Sequence, residues 1–544
     1  RRYTLCPDCQ GARIRKDALY VRLGGYHIGQ LLDMELEALA EAVREWPLDE
    51  RERSVGKRLL HEISSRLDYL IRVGVGYLTL NRKISTLSGG EMQRIRLATS
   101  LGSGLTGAMY VLDEPSIGLH PRDTDRLVSI LEALRDKGNT LIVVEHDESV
   151  MRQADQIVDM GPGAGELGGE VIFNGSYAEL AAASSLTADY LSGRREIPLP
   201  KIRRKIQSRI RLTGARMHNL KGIDLELPLN ALSVVTGVSG SGKTTLIKNI
   251  LYPALRKHVG EPAEKGGFYK SLEGDLALVK QVEMVDQDPI GRSARSNPVT
   301  YIKAYDHIRE LFAAQPLAKL KGLKPGHFSF NVEGGRCETC QGEGSVVIEM
   351  QFLPDVKLVC DTCGGKRFQK HMLEVTWQDK NIDEVLHMTI SEAVRFFETE
   401  KKIAEKLLIL ERVGLGYLRL GQSTSTLSGG EAQRMKLAFF LSQTAQARNT
   451  LYIFDEPTTG LHFEDIRRLL DAIYELIERG NSVVIIEHHP DVIKCADWVL
   501  DLGPEGGKAG GELLYQGPPE GLLGVERSHT ARYLREKLAP AAKP

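Results

Sequence analysis

Residues 237–244 read GVSGSGKT, a spacing of residue types suited to gripping a polyphosphate. Gly237, Gly240 and Gly242 let the backbone curl, and the curl turns successive N–H groups, Ser239's included, toward an anion. Lys243 adds a full positive charge for the β- and γ-phosphates. Thr244 offers a hydroxyl to Mg²⁺, and Thr245 begins the segment that follows. The flanking runs, LSVVTG (232–237) and TTLIKNIL (244–251), predict a buried strand before the loop and a helix after it. That is the context a nucleotide-binding loop needs, and it sets this pattern apart from a chance glycine-rich turn.

Hydrolysis needs more than a grip. LYIFDE (451–456) predicts a strand ending in Asp455 and Glu456, and strand ends are where parallel sheets hold their ligands. Asp455 suits Mg²⁺; Glu456 suits the attacking water, to orient or deprotonate it. SVVIIEH (482–488) predicts a neighbouring strand ending in His488, placed to meet the γ-phosphate or that water. Gln287, after the apolar run before VDQDPIG, would complete the Mg²⁺ and water site. One lone histidine would be unremarkable, but His488 follows Asp455 by 33 residues and His146 follows Asp113 by the same 33.

That coincidence is one part of a long internal repeat. VGVGYLTLNRKISTLSGGE (73–91) matches VGLGYLRLGQSTSTLSGGE (413–431), VLDEPSIGLH (111–120) matches IFDEPTTGLH (453–462), VVEH (143–146) matches IIEH (485–488), and DMGPGAG (159–165) matches DLGPEGG (501–507). Order and spacing are kept throughout, so the chain holds two copies of one domain. LSGGE reads first as a capping box, with Ser88–Glu91 and Ser428–Glu431 each starting a helix. Ser88-Gly89-Gly90 and Ser428-Gly429-Gly430 also present a helix N-terminus to an anion. Occurring twice, each just ahead of an Asp-Glu strand, the pattern resembles the signature of ABC-type ATPases. In that superfamily the signature of one domain closes on ATP held by the P-loop of the other. Lys243 precedes Ser428 by 185 positions, whereas Ser88 has only 87 residues before it. The first copy's P-loop and glutamine are therefore expected upstream of residue 1. One complete nucleotide site is expected per chain, with Asp113, Glu114 and His146 facing Ser428-Gly429-Gly430 as a partial second.

Cysteine is used in pairs. Cys337-x2-Cys340 and Cys360-x2-Cys363 have the spacing of a tetrahedral zinc site, with an apolar hairpin of two strands predicted between them. Four thiolates fill the tetrahedron, so the metal is expected to be structural. Cys6 and Cys9 form a possible half-site with no partner pair left in the chain, and Cys495 reads as a small buried apolar residue.

Strands and helices must alternate to place these groups, which predicts an α/β fold: tandem ABC-type P-loop ATPase domains with an inserted zinc module. The expected units are 1–193, the C-terminal part of the first ATPase domain; 194–211, a linker; and 212–544, the second domain, with the zinc and signature region inserted at about 288–430. RREIPLPKIRRKIQSRIR (194–211), with eight basic residues against one acid, reads as a solvated tether, the alternative being a DNA-phosphate contact. Hydrophobic residues at 42% and charged residues at 26% exclude a disordered chain. A net charge of -1 leaves any nucleic-acid binding to local basic patches, and no apolar run approaches a membrane span.

Taken together these motifs resemble the UvrA family, the ATP-driven damage sensors of the bacterial excinuclease. The resemblance covers essentially all of the chain. It rests on CPDCQGARI (6–14), LSGGEMQRIRLA (87–98), DEPSIGLHPRD (113–123), VTGVSGSGKTTL (235–246), DQDPIGRSARSNPVTY (286–301), FSFNVEGGRCETCQGEG (328–344) and DEPTTGLHFEDI (455–466). It implies a cytoplasmic homodimer that uses ATP, Mg²⁺ and Zn²⁺, binds double-stranded DNA and hands lesions to UvrB. Incision belongs to UvrB and UvrC, which leaves this subunit an ATPase and not a nuclease. The UvrB-binding and insertion regions, which the family places upstream of residue 1, are absent. Arg292 and Arg295, just after Gln287, are the candidates for contacting DNA phosphates, with structural salt bridges as their alternative. In this family the zinc region is implicated in telling damaged from intact DNA. A UvrA-like resistance paralogue without the UvrB hand-off is the nearest alternative. A transporter ATPase would leave the zinc module without a role, and a chromosome-organising protein of the SMC type would need long heptad arms.

Overall fold

The structure, a computed structural model, describes residues 6–9, 11–84, 87, 89–102, 106–163, 165, 168–286, 296–348, 350, 356–443 and 448–538. In the second copy six strands form one sheet, in the order Gln281–Val285, Thr450–Asp455, Ser482–Ile486, Leu232–Gly237, Trp498–Gly503 and Glu512–Gly517. The first five are parallel and the last is antiparallel. In register, Asp455 lies beside Ile486 and Ile486 beside Val235. The strand ends that lead into Glu456, His488 and the P-loop therefore emerge along one edge.

Both faces of the four inner strands are covered, so these strands are mostly apolar and buried. Alternation decides which core each side chain enters. Tyr452, Phe454, Val483 and Ile485 join a large core built with the helices between Pro298 and Glu478. Leu451, Ile453, Val484 and Ile486 point the other way, into a second core closed by the segment after the P-loop and by an antiparallel sheet of Ser271–Gly274, Arg209–Ala215 and Ile223–Pro228. The helix expected after the loop opens as a wide π-helical turn, Thr245–Leu251, before tightening into Tyr252–His258.

The first copy is built from the same parts in a different state of burial. Met109–Asp113 pairs in parallel with Thr140–Val144, and Ile157–Gly161 pairs with Glu170–Gly175. Their second-copy counterparts, Ser482–Ile486 and Trp498–Gly503, both flank Leu232–Gly237. Tyr110, Leu112, Leu141 and Val143 pack onto a third core, while Met109, Val111, Ile142 and Val144 are exposed. Among the described residues, no helix is long and apolar enough to cross a membrane.

Residues 194–211 run largely exposed, as a tether would, but are fastened to the second copy at a few points. Arg203 is fastened to Glu520 and donates to the carbonyls of Lys494 and Ala496. Arg204 pairs with the buried Asp497 at 3.3 Å, and Ile197 is buried in the large core. Two of the segment's basic side chains are taken up by carboxylates and by carbonyls just past the helix Pro490–Ile493, contacts that composition alone does not reveal. Replacing Arg203 by Ala strands those carbonyls and is expected to cost about 1–3 kcal/mol of stability. The exposed Lys201→Ala should stay within about 0.5 kcal/mol of the parent. Chemical denaturation of the two variants checks the difference.

Candidate functional site: a phosphate cradle closed by the second copy

The P-loop backbone takes the left-handed conformations that glycine allows at Gly237, Gly240 and Gly242, with φ of 129°, 74° and 106°. Space demands glycine as well. A methyl group on Gly237 would sit 1.9 Å from the Leu502 carbonyl oxygen, and one on Gly242 2.6 Å from Leu220. Lys243 is buried, and its Nζ donates to the carbonyls of Gly237 and Val238, both at 2.9 Å. Burial lowers its pKa to about 8, against the pull of Glu456, Asp123, Asp501 and Asp455. Ser239 and Gly240 are half-buried in the loop, Thr245 likewise, and Thr244 is exposed beside it. The buried Ser241 hydroxyl has no hydrogen-bond partner among the described residues. A loop with curled N–H groups, a spare hydroxyl and a lysine folded onto its own carbonyls fits a bound polyphosphate.

Asp455 ends its strand and Glu456 lies one residue beyond it. Burial, reinforced by Glu456, pushes the Asp455 carboxyl up to about 6. Burial also raises Glu456, which Lys243 partly offsets. Glu456 holds a left-handed backbone at φ 48°, and its first-copy counterpart Glu114 does the same at φ 45°. A strained non-glycine conformation kept in both copies marks a position under functional constraint. His488 Nε2 lies 3.6 Å from Glu456 Oε1, and His146 Nε2 lies 3.7 Å from Glu114 Oε1. Burial and the charge of Lys243 hold the His488 pKa well below its usual value, so its ring is neutral.

The first copy closes over this cradle. Ser239 N donates to Asp123 Oδ2 at 3.4 Å, and the Tyr77 ring lies 3.0 Å from the Cβ position of Gly240. Gly118 faces Glu456, whose Oε2 is 2.6 Å from the Cβ position of that glycine. Gly460 returns the contact, 2.9 Å from Glu114 Oε1. Arg94 and Glu91, on the helix Gly89–Gly102, act electrostatically on Glu456. Gly89 and Gly90 open this helix. In the other direction Ser428 caps the helix Gly429–Ser442 through a reciprocal bond pair with Glu431, and Gly430 packs against the Thr459 carbonyl. Asp113 ends an exposed strand edge beside Glu114. A cavity of ≈ 770 Å³ runs between the copies, lined by Glu114, His146, Glu456 and His488. Gln287, Ser88, Arg292 and Arg295 lie outside the described residues.

The cysteines also converge. The Sγ atoms of Cys337, Cys340, Cys360 and Cys363 all lie within 4.8 Å of one another, with Cys337–Cys360 at 4.0 Å and Cys340–Cys363 at 3.7 Å. Zn–S bonds of roughly 2.3 Å in a tetrahedron require about 3.8 Å between sulfurs, so the four thiols fit such an ion. Gly344 N donates to Cys340 Sγ at 3.3 Å, a bond that steadies a thiolate. The hairpin above, Ser345–Ile348 against Val356–Val359, exposes Val346, Val347, Ile348 and Leu358. Cys6 is exposed and Cys9 half-buried, and neither joins a metal-capable cluster among the described residues. Cys495 is buried, as expected.

No family model matches the chain. UvrABC system protein A from Aquifex aeolicus is 52% identical over 537 residues, 98% of this chain and 58% of that protein. Proteins of the same name from Streptomyces avermitilis and Clostridium perfringens are 53% and 51% identical, over 98% of this chain and 53% and 57% of their own lengths. The crystal structure of UvrA2 from Deinococcus radiodurans matches with a TM-score of 0.91 at 45% identity, over 98% of this chain and 66% of that one. This chain belongs to the UvrA family. It spans a little more than half the length of the curated relatives it matches. Its α/β fold carries two ABC-type copies and, in the second, an inserted cluster of four cysteines able to hold zinc.

Two sets of residues in this UvrA-family site escaped the sequence reading. Glu487 binds both loops beside Glu456: Oε1 accepts from His488 N at 2.7 Å, and Oε2 accepts from Thr458 Oγ1 at 2.6 Å. Glu145 does the same in the first copy, accepting from Ser116 N at 2.8 Å and His146 N at 2.9 Å. Tyr77 and Tyr417 donate to Glu91 and Glu431 at 2.7 and 2.6 Å, tying each signature helix to the strand of sequence before it. The signal was present, since VVEH/IIEH and GYL repeat in both copies. Replacing Cys337 and Cys340 together by Ala should release about one metal per chain, read by elemental analysis, and unfold the exposed hairpin to proteolysis. The Lys243 region, in a separate core, should keep its protection.

Proposed function

We propose that this chain is part of an ATP-dependent DNA-damage sensor of nucleotide excision repair, hydrolysing ATP at a site shared by its two copies. The observation that carries the reading is the closure of Gly118, Asp123 and Arg94 from the first copy onto the P-loop and Glu456 of the second. The polyphosphate would lie on the backbone from Gly237 to Lys243, whose ammonium exchanges the Gly237 and Val238 carbonyls for phosphate oxygens. Mg²⁺, held by Thr244 and Asp455 with Gln287 nearby, would neutralise charge on the transferring phosphoryl group. Glu456 takes the proton of the attacking water, a role that its burial favours by raising its basicity. The neutral His488 orients that water or the γ-phosphate. Ser88-Gly89-Gly90 brings a helix N-terminus to the same phosphate. Asp113, Glu114, His146 and Ser428-Gly429-Gly430 form the corresponding set at the other junction.

The name borne by the relatives supports a place in the UvrABC system, with UvrB as partner of the full protein; a homodimer in the cytoplasm is the working form this reading proposes. Zinc suits the four thiols, in a structural role with no open position for water. The exposed apolar hairpin would lie against DNA whose bases are unstacked, where deformation costs least. Arg292 and Arg295 would couple the nucleotide site to DNA phosphates.

In a steady-state ATPase and nucleotide-binding assay, Lys243→Ala should lose ATP binding. Glu456→Gln should bind normally and hydrolyse roughly 10²–10⁴-fold more slowly. Equal rates for Glu456→Gln and the parent would remove the assigned role. DNA binding should be largely independent of sequence, and its logarithm should fall linearly with the logarithm of salt concentration. Affinity measured from low to physiological salt checks this, and a salt-insensitive affinity would count against it.

A further inference from the structure

At the junction of the copies lie two relays of the same composition, one buried and one half-buried. His120 Nδ1 accepts from Arg122 N at 3.2 Å, so its proton sits on Nε2, which donates to Thr530 Oγ1 at 3.1 Å. Thr530 then donates to Asp501 Oδ1 at 3.0 Å. In the opposite sense His462 Nδ1 accepts from Glu464 N at 3.3 Å, His462 Nε2 meets Thr187 Oγ1 at 3.3 Å, and Thr187 donates to Asp159 Oδ1 at 3.1 Å. Each histidine ends the loop after its copy's Asp-Glu pair, and each threonine sits on or before the last helix of the other copy's repeat, in SLTADYL or SHTARYL.

We propose that Thr530 is a positioning residue for hydrolysis: through it, the second copy's C-terminal helix fixes the first copy's His120 against His488. This rests on the reading of the Lys243 site given above. The chain of contacts is short. Asp501 lies beside Thr236 in the sheet, one residue before the P-loop. His120 is fully buried, and its ring meets His488 edge-on, with centroids 5.9 Å apart at 79°. His488 in turn lies 3.6 Å from Glu456. The donor sense is fixed at the histidine, where Nδ1 accepts from Arg122 N and leaves Nε2 to donate to Thr530. A buried polar chain of this kind specifies one arrangement when every member is satisfied and is costly when one is not. Opening of the copies would break the one bond of the relay that crosses between them, His120 to Thr530, and free the His120 ring that packs against His488.

Thr530→Val keeps the shape and removes both bonds. In steady-state ATP hydrolysis by the whole chain it should lower kcat roughly tenfold or more while KM stays within about twofold, and Thr530→Ser should restore most of the loss. Tyr533→Phe is the control: it deletes another bond from the same helix, Tyr533 Oη to Asp125 at 2.6 Å, but keeps the ring against His120, and kcat should hold within about twofold. Equal losses in Thr530→Val and Tyr533→Phe, or a raised KM with intact kcat, would reduce the relay to interface glue and overturn the proposal. Should Thr530→Val fail to fold, His120→Gln reads the same link, since its amide reaches Thr530 but presents no ring to His488. A folded His120→Gln with parental kcat overturns the proposal too. Hydrolysis that survives Lys243→Ala would overturn the site reading and the relay together. Hydrolysis lost in Lys243→Ala but unchanged in Thr530→Val overturns the relay alone.

Discussion

A buried ammonium sets the terms for the nucleotide-site half of this molecule. Lys243 is out of water, and an unpaired charge there would be untenable. Its own loop supplies two carbonyls, and the remaining compensation is the field of four carboxylates. Three of them, Asp455, Glu456 and Asp501, come from strand ends of the same sheet, which explains why the parallel register must bring those ends to one edge. The fourth, Asp123, comes from the other copy. The cradle is therefore electrically complete only when the copies meet, and the same burial raises the pKa of two of its acids, with Asp455 and Asp501 both pushed up to about 6.

What was legible in the sequence follows from the range of each signal. The P-loop, the strand-end acids and the cysteine pairs are local patterns whose chemistry is carried by a handful of adjacent residues, and the folded chain brings them together as their spacing suggests. Glu487 is not legible because a glutamate beside a histidine carries no spacing of its own; its meaning is the backbone N–H groups of His488 and Thr458 that converge on it from two loops. Thr530 was passed over for a related reason, since a hydroxyl near a chain end acquires a function only when another copy's histidine reaches it. The anchoring of the linker at Arg203 and Arg204 is not legible, because charge density says nothing about whether carbonyls and carboxylates wait nearby to receive it. Gln287, Ser88, Arg292 and Arg295 stay as the sequence left them, as expectations.

The repeat also shows how one pattern can serve two environments. IFDEPTTGLH and VLDEPSIGLH differ little, yet their strands are wholly buried in one copy and alternately exposed in the other. The motif preserves the turn, the strained glutamate and the capping histidine, while the apolar run before it takes whatever cover its neighbours provide. Core burial is thus a property of the surroundings, and site geometry is a property of the motif.

The segment from Arg194 to Arg211 is largely exposed but anchored. Because Arg203 and Arg204 pin it to the second copy, the slack between the halves is short. Meeting of the two copies is then an intramolecular event with a high effective concentration. Its rate and equilibrium should not change with dilution, as they would for cassettes carried on separate chains. A cell holding only a few copies of such a protein would still find every one of them able to close.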